Sequence, residues 1–319
     1  MKKPLKITLI SAGTVVALLG GTLATTAIVN AVQTPKEVAQ LEPYGELVEV
    51  DGKRMNVAVF GEGEETIVLT PGAGTASPVA DFAPVIAGLQ DEYRIIAVEP
   101  FGYGFSDQTD TPRTTENIVR EIHEAVSAVG ADEYILMGHS ITGIYGLSYA
   151  NTYPDEVTAF VGIDTSLPEQ PGMDETPGII KAAPVLRGLG LLRVANAIIG
   201  NPLEGNPAYS DVDRERLDVL SMRNTMAPTY VDEVNHLGEN FAAAAGQTFP
   251  KDLPLLLMYQ ASNEAFPSWN AMHEAQAATV DYAVTLEIDA DHYLHHTKSD
   301  EVVAATKEFL AGLPAQPER

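Results

Sequence analysis

The chain has 319 residues, 45% of them apolar, which is enough to bury one sizeable core. Lys and Arg total 19 against 44 Asp and Glu, a formal net charge of -25. Such an acidic body is repelled by phosphate backbones, which excludes nucleic acid as an expected partner. There is no cysteine, so thiol catalysis, disulfides and thiolate metal sites are all excluded.

The first 35 residues form a separate segment. Lys2, Lys3 and Lys6 make a basic head, and residues 7–29 follow without a charged side chain. A run of this length can cross a bilayer as a helix, and the lysines predict that its start stays in the cytoplasm. A cleaved signal peptide is the competing reading, with small side chains around Val29-Asn30-Ala31. The first reading expects a cell-membrane protein with a single N-terminal anchor and its body outside the cytoplasm. The second expects secretion after cleavage. From Lys36 onward the charge is more lopsided still, with 16 basic against 44 acidic residues. Residues 36–43 read as a linker, and residues 44–319 as one domain.

From Tyr44 onward strand patterns dominate. Leu47–Val50 and Met55–Val59 flank Asp51-Gly52, a hairpin-turn pair. Apolar strand candidates then recur at Thr66–Thr70, Arg94–Glu99, Tyr134–Gly138, Ala159–Asp164, Leu253–Gln260 and Val284–Asp289. Helical spacing lies between them, at Val79–Gln90, Thr115–Gly130, Thr142–Tyr153, Ser268–Thr279 and Asp300–Ala311. This alternation predicts an α/β fold whose mostly parallel sheet is covered by helices on both faces. The alternation lapses between Ser166 and Pro250, where Pro, Gly and helical stretches predict an inserted helical lid. Within it, Ala182–Ile199 is apolar, which suits either an oily pocket or the core of a lid helix.

The most informative stretch is Tyr134 to Gly143. A strand runs into a tight turn carrying Gly138-His139-Ser140, and a helix follows. That placement projects a hydroxyl at the carboxyl edge of the sheet, with helix-start amides beside it. The stretch resembles the nucleophile elbow of the α/β-hydrolase superfamily, G-x-S-x-G, except that Thr142 stands where the second glycine belongs and Gly143 follows one step later. The resemblance extends over Tyr44 to Leu313. Thr70-Pro71-Gly72-Ala73-Gly74 matches the loop after the first central strand, Glu99 to Ser106 resembles the D-x-x-G-x-G-x-S turn, and Asp291-His292 falls where the family keeps its histidine.

The resemblance implies Ser140 as nucleophile, His292 as base, and the Ala73 and Ile141 amides as oxyanion donors. It places the acid about nine residues past Pro254, but Asn263 stands there with Glu264 beside it. Asp164, at the end of the preceding strand, is the alternative. The expected activity is hydrolysis of a small ester or amide, esterase-like, through a Ser-His-acid triad. It requires no cofactor and no metal. Serine at the elbow argues against dehalogenase and epoxide-hydrolase chemistry, which need a carboxylate nucleophile. A surface binding or sensing protein that keeps the fold without turnover is the alternative, favoured by Thr142, Pro71 and the missing aspartate. His295 and His296 are expected to be partly exposed, and His123, His236 and His273 to lie on the surface or in the lid.

Overall fold

The computed structural model describes residues 3–313, with side chains from residue 14 onward, so Lys2 of the basic head lies outside the described residues. Helix α1 spans Lys3–Gln40. Strands β1 (Glu46–Val50) and β2 (Lys53–Phe60) form the hairpin, and Asp51 and Gly52 both take positive φ at its turn. Then come β3 (Thr66–Thr70), α2 (Pro78–Asp81), α3 (Ala83–Leu89), β4 (Arg94–Glu99) and α4 (Thr115–Ala128). Next are β5 (Tyr134–His139), α5 (Thr142–Thr152) and β6 (Val157–Ile163). A 3₁₀ turn (Gly178–Ala182), α6 (Ala183–Gly188), α7 (Leu191–Ile199), α8 (Asp211–Asn224) and α9 (Pro228–Ala244) make up the helical insert. The chain closes with β7 (Leu255–Gln260), α10 (Trp269–Ala277), β8 (Ala283–Ile288), α11 (Leu294–Thr297) and α12 (Ser299–Ala311).

The eight strands form one sheet in the order β1-β2-β4-β3-β5-β6-β7-β8. The β1–β2 and β2–β4 pairs are antiparallel and all later pairs parallel. Because side chains alternate along a strand, each central strand feeds two cores. Val68, Ile96, Leu136 and Phe160 pack with Ile118, Ile122, Ile144 and Leu147 of α4 and α5 on one face. Ile67, Ile95, Met137 and Val161 pack with Val85, Ile86, Val302 and Phe309 of α3 and α12 on the other. Burial on both faces explains why these strands read as unbroken apolar runs. The strand order reverses at β3, so the carboxyl ends of β3, β5 and β6 lie side by side, where open α/β sheets bind ligands.

Three expectations need correction. The helix expected over Val79–Gln90 is divided at Phe82, because Pro84 has no N–H to bond the Ala80 carbonyl and continue it. The segment expected as a linker is helical to Gln40. Its last turns pack on the insert and end at the buried Leu41, despite Pro35 inside the helix. His273, expected on the surface or in the lid, is fully buried on α10 and stacked on Tyr259.

Beneath the α4 face, Arg113 and Glu121 form a 2.7 Å ion pair with both side chains buried. Removing Arg113 leaves the buried Glu121 carboxylate with only the partly exposed Arg120, 3.8 Å away, as counter-ion. Arg113→Ala is therefore expected to cost about 3–5 kcal/mol of unfolding free energy, read from the urea midpoint, while an apolar replacement of both residues together recovers most of it.

Candidate active site

Strand β5 hands over to α5 through Ser140, whose φ of +53° is left-handed. For a residue with a Cβ this costs about 1–3 kcal/mol, and persists only when its surroundings impose it. Here the Ser140 N–H donates to the Ile163 carbonyl, and the Ser140 carbonyl accepts from Gly143 and Ser166. The departure from the family's second glycine is accommodated locally. The Thr142 hydroxyl lies 3.0 Å from that of Thr70 and donates to the Pro71 carbonyl at 3.1 Å, while Gly138 leaves room for its methyl group. The strict requirement falls one residue later, since a Cβ on Gly143 would sit 2.0 Å from the Ser166 carbonyl oxygen.

Ser140, His292 and Asp164 are brought into one hydrogen-bonded line. The Ser140 hydroxyl lies 3.0 Å from His292 Nε2, and His292 Nδ1 lies 2.6 Å from Asp164 Oδ2. With Nδ1–H donating to the carboxylate, Nε2 presents its lone pair to the serine hydroxyl. Asp164 follows β6 directly, also with positive φ (+42°), and is fully buried. Its carboxylate additionally accepts from the Gln260 N–H, the Gln260 amide and the indole N–H of Trp269, the only tryptophan in the chain. Glu264 is exposed and is not brought to His292. Its neighbour Asn263 caps the Phe266 N–H.

The amides of Ala73 and Ile141 border the same cavity and, among the described residues, have no hydrogen-bond partner. The cavity measures about 350 Å³. The sheet side supplies Ser140 and His292, the insert supplies Met173 and Leu237, and Phe266 and Trp269 complete the wall. The loop carrying Ala73 is held from behind by groups that sequence reasoning missed. The Tyr103 hydroxyl accepts from the Gly74 N–H at 3.0 Å and donates to Glu233 of α9 at 2.7 Å, and Tyr145 donates to the other Glu233 oxygen. Burial pushes the Glu233 carboxyl above its usual range, against the opposing pull of nearby Arg113.

Behind His292 lies a histidine cluster. His139 is fully buried and its Nε2–H donates to the His292 carbonyl at 3.0 Å. His295, expected to be partly exposed, is also fully buried, stacked on Phe82 and 2.9 Å from Asp81. His296 reaches the second Asp81 oxygen at 2.7 Å. The two imidazoles hold the Asp81 carboxyl below its usual range despite its burial. Asp81, His295 and His296 carry donor types that could hold a divalent cation, although the observed separations are those of direct hydrogen bonds. Burial pushes His139 well below its ordinary pKa, so it stays neutral in the fold and gains a proton on unfolding in mild acid. Stability stored this way is complete above about pH 6.5 and is lost as pH falls. Replacing His139 with Asn should therefore flatten the pH dependence of unfolding free energy between pH 5 and 6.5, by up to ~1.4 kcal/mol per pH unit. Equal slopes in denaturant titrations would refute this.

Comparison with known proteins agrees with this geometry. Residues 65–299 match the family model described as the alpha/beta hydrolase fold. Over 97% of both chains, the sequence is 27% identical to YbdG of Bacillus subtilis (strain 168). Over 36% of this chain and 40% of the relative, it is 32% identical to the serine hydrolase BPHL of Mus musculus. Among solved structures, the enol-lactonase of Burkholderia xenovorans LB400 superposes with a TM-score of 0.65 at 18% identity, covering 83% of this chain and all of that one. The epoxide hydrolase VrEH1 of Vigna radiata gives 0.66 at 18% identity, covering 84% and 97%. These structures share the fold with this chain. Sheet order, elbow and family match together establish that the chain belongs to the α/β-hydrolase family.

Proposed function

We propose that the protein is a serine hydrolase that cleaves small carboxylic esters through an acyl-enzyme. The observation that carries this reading is the Ser140–His292–Asp164 hydrogen-bonded line, ending on a serine held in a strained elbow. In the first step His292 Nε2 takes the Ser140 proton as the hydroxyl oxygen attacks the ester carbonyl carbon. Asp164 stabilises the imidazolium that forms, and the Ala73 and Ile141 amides receive the negative charge on the carbonyl oxygen. The protonated His292 gives its proton to the departing alcohol. In the second step water, deprotonated by the same imidazole, attacks the acyl carbon; the acyl–Oγ bond breaks, the imidazolium returns its proton to the Ser140 oxygen, and the carboxylic acid departs. Every group required is a side chain or amide of this chain. In this reading the insert acts as the lid, and Met173 and Leu237 present an apolar wall to the acyl group.

The long apolar α1 fits a retained anchor that holds the domain outside the cytoplasm. Cleavage near Ala31 and secretion is the alternative, and the two differ in whether the full-length chain sediments with membranes.

A fluorophosphonate probe applied to the full chain should label Ser140, and Ser140→Ala should abolish both labelling and hydrolysis of p-nitrophenyl esters. A folded but unlabelled protein would favour a binding role instead. Asp164→Asn should lower kcat by roughly four orders of magnitude, because the imidazole loses its correct tautomer. Glu264→Gln should leave kcat unchanged, and a large loss there would move the acid to Glu264. Tyr103→Phe should lower kcat with little change in KM, since the Gly74 contact steadies a loop that matters most when charge develops.

A further inference from the structure

Beyond α1, exposed large apolar side chains gather on the insert. Ile198 and Ile199 are 80% and 82% exposed and Val185 59%, with Ile179 and Val194 nearby in sequence. Helix α7 reads LLRVANAII, and none of its nine residues is buried. It meets the Gly178–Gly188 helical unit at 99°, so the two form a corner rather than a packed pair. An apolar helix left bare in this way marks an interaction surface. Charge singles out the same corner. Residues 176–203 contain no Asp or Glu and carry Lys181, Arg187 and Arg193, within a body that is otherwise strongly acidic.

The corner is fixed to α1. The Thr26 hydroxyl donates to the Leu189 carbonyl at 2.8 Å, and the Asn30 amide donates to the Arg187 carbonyl at 3.3 Å. Arg193 forks onto Glu37 at 2.6 and 2.9 Å and reaches the Thr34 hydroxyl at 3.0 Å. Gly190, at φ +67°, brings the backbones so close that a Cβ would sit 2.5 Å from the Thr26 carbonyl oxygen. Before Thr26, α1 runs from Lys3 for about 35 Å, enough to cross a hydrocarbon core of about 30 Å. Val15, Val16, Leu18 and Leu19 lie bare along that stretch. The point where α1 would leave a bilayer is thus the point where it takes hold of the insert. Ile199 lies within roughly 15 Å of that point, nine residues of helix away.

We infer that the α6–α7 corner is a lipid-docking surface, which takes a phospholipid bilayer as its partner. Ile198, Ile199 and Val185 enter the boundary between headgroups and acyl chains, and Lys181 faces the phosphates. This deepens the anchor reading above and rests on it. Helix α1 would then set the insert, and with it one wall of the cavity, at a fixed depth on the membrane.

The chain has no cysteine, so an introduced one is its sole thiol. Full-length Ile199→Cys and, separately, Ile198→Cys are labelled with an environment-sensitive fluorophore and reconstituted into vesicles of phosphatidylcholine and phosphatidylglycerol. Glu133→Cys, exposed at the amino end of β5, is the reference. The expected result is blue-shifted emission at 198 and 199, with at least twofold quenching by a lipid-borne quencher, and water-like emission at 133. Membrane-bound protein with positions 198 and 199 as water-exposed as 133 overturns the inference alone. A full chain that stays soluble overturns the anchor reading and the inference together. Fluorophosphonate labelling of the same samples reports separately on the hydrolase reading.

Discussion

The Asp164 carboxylate is the point on which the Ser140 end of the sheet depends. It is fully buried and accepts from four donors: the imidazole of His292, the backbone and side chain of Gln260, and the indole of Trp269. These donors belong to β7, to α10 and to the loop before α11, three pieces of chain distant in sequence that meet at one anion. A buried carboxylate with a missing partner is costly, so each donor is held where the others need it. The left-handed backbone at Asp164 and at Ser140 is a local cost that this convergence sustains.

A second set of buried groups ties the insert to the loop that carries Ala73. Glu233 belongs to α9, Tyr103 to the turn after β4, and Gly74 to the loop after β3, yet two hydrogen bonds join all three. Tyr230, also on α9, leaves no room for a side chain at Gly74. The glycine turn after β4 is built around another buried acid. Glu99 accepts from Tyr44, Asn56 and the Phe105 N–H, and a Cβ on Gly104 would fall on its carboxylate. That turn presents Tyr103, so its structural glycines reach the site through one phenol.

Much of the fold was legible because the strands are buried on both faces and their apolar runs stand out from the helical spacing between them. The elbow was legible for the same reason, as it joins a fully buried strand to its helix. The carboxylate beside His292 was not, because Asp164 and Glu264 were both candidates and only three-dimensional proximity separates them. The family position after β7 holds Asn263, which caps a turn, while that strand contributes Gln260 as a donor to Asp164 instead. The buried histidines were misjudged because sequence spacing cannot reveal a partner such as Asp81, 214 residues away from His295. Phe82, the residue where the expected helix divides, is also the ring on which His295 stacks.

The grip between α1 and the insert bears on how the protein can be handled. A chain trimmed to begin after Gln40 would look complete by its sheet, its elbow and its family match. It would nevertheless lack Thr26, Asn30, Thr34 and Glu37, and so leave Arg193 without its carboxylate and the Leu189 carbonyl without its donor. Crystals or assays of that shortened form would report on a hydrolase-family domain whose insert lacks the contacts it makes with α1 in the full chain.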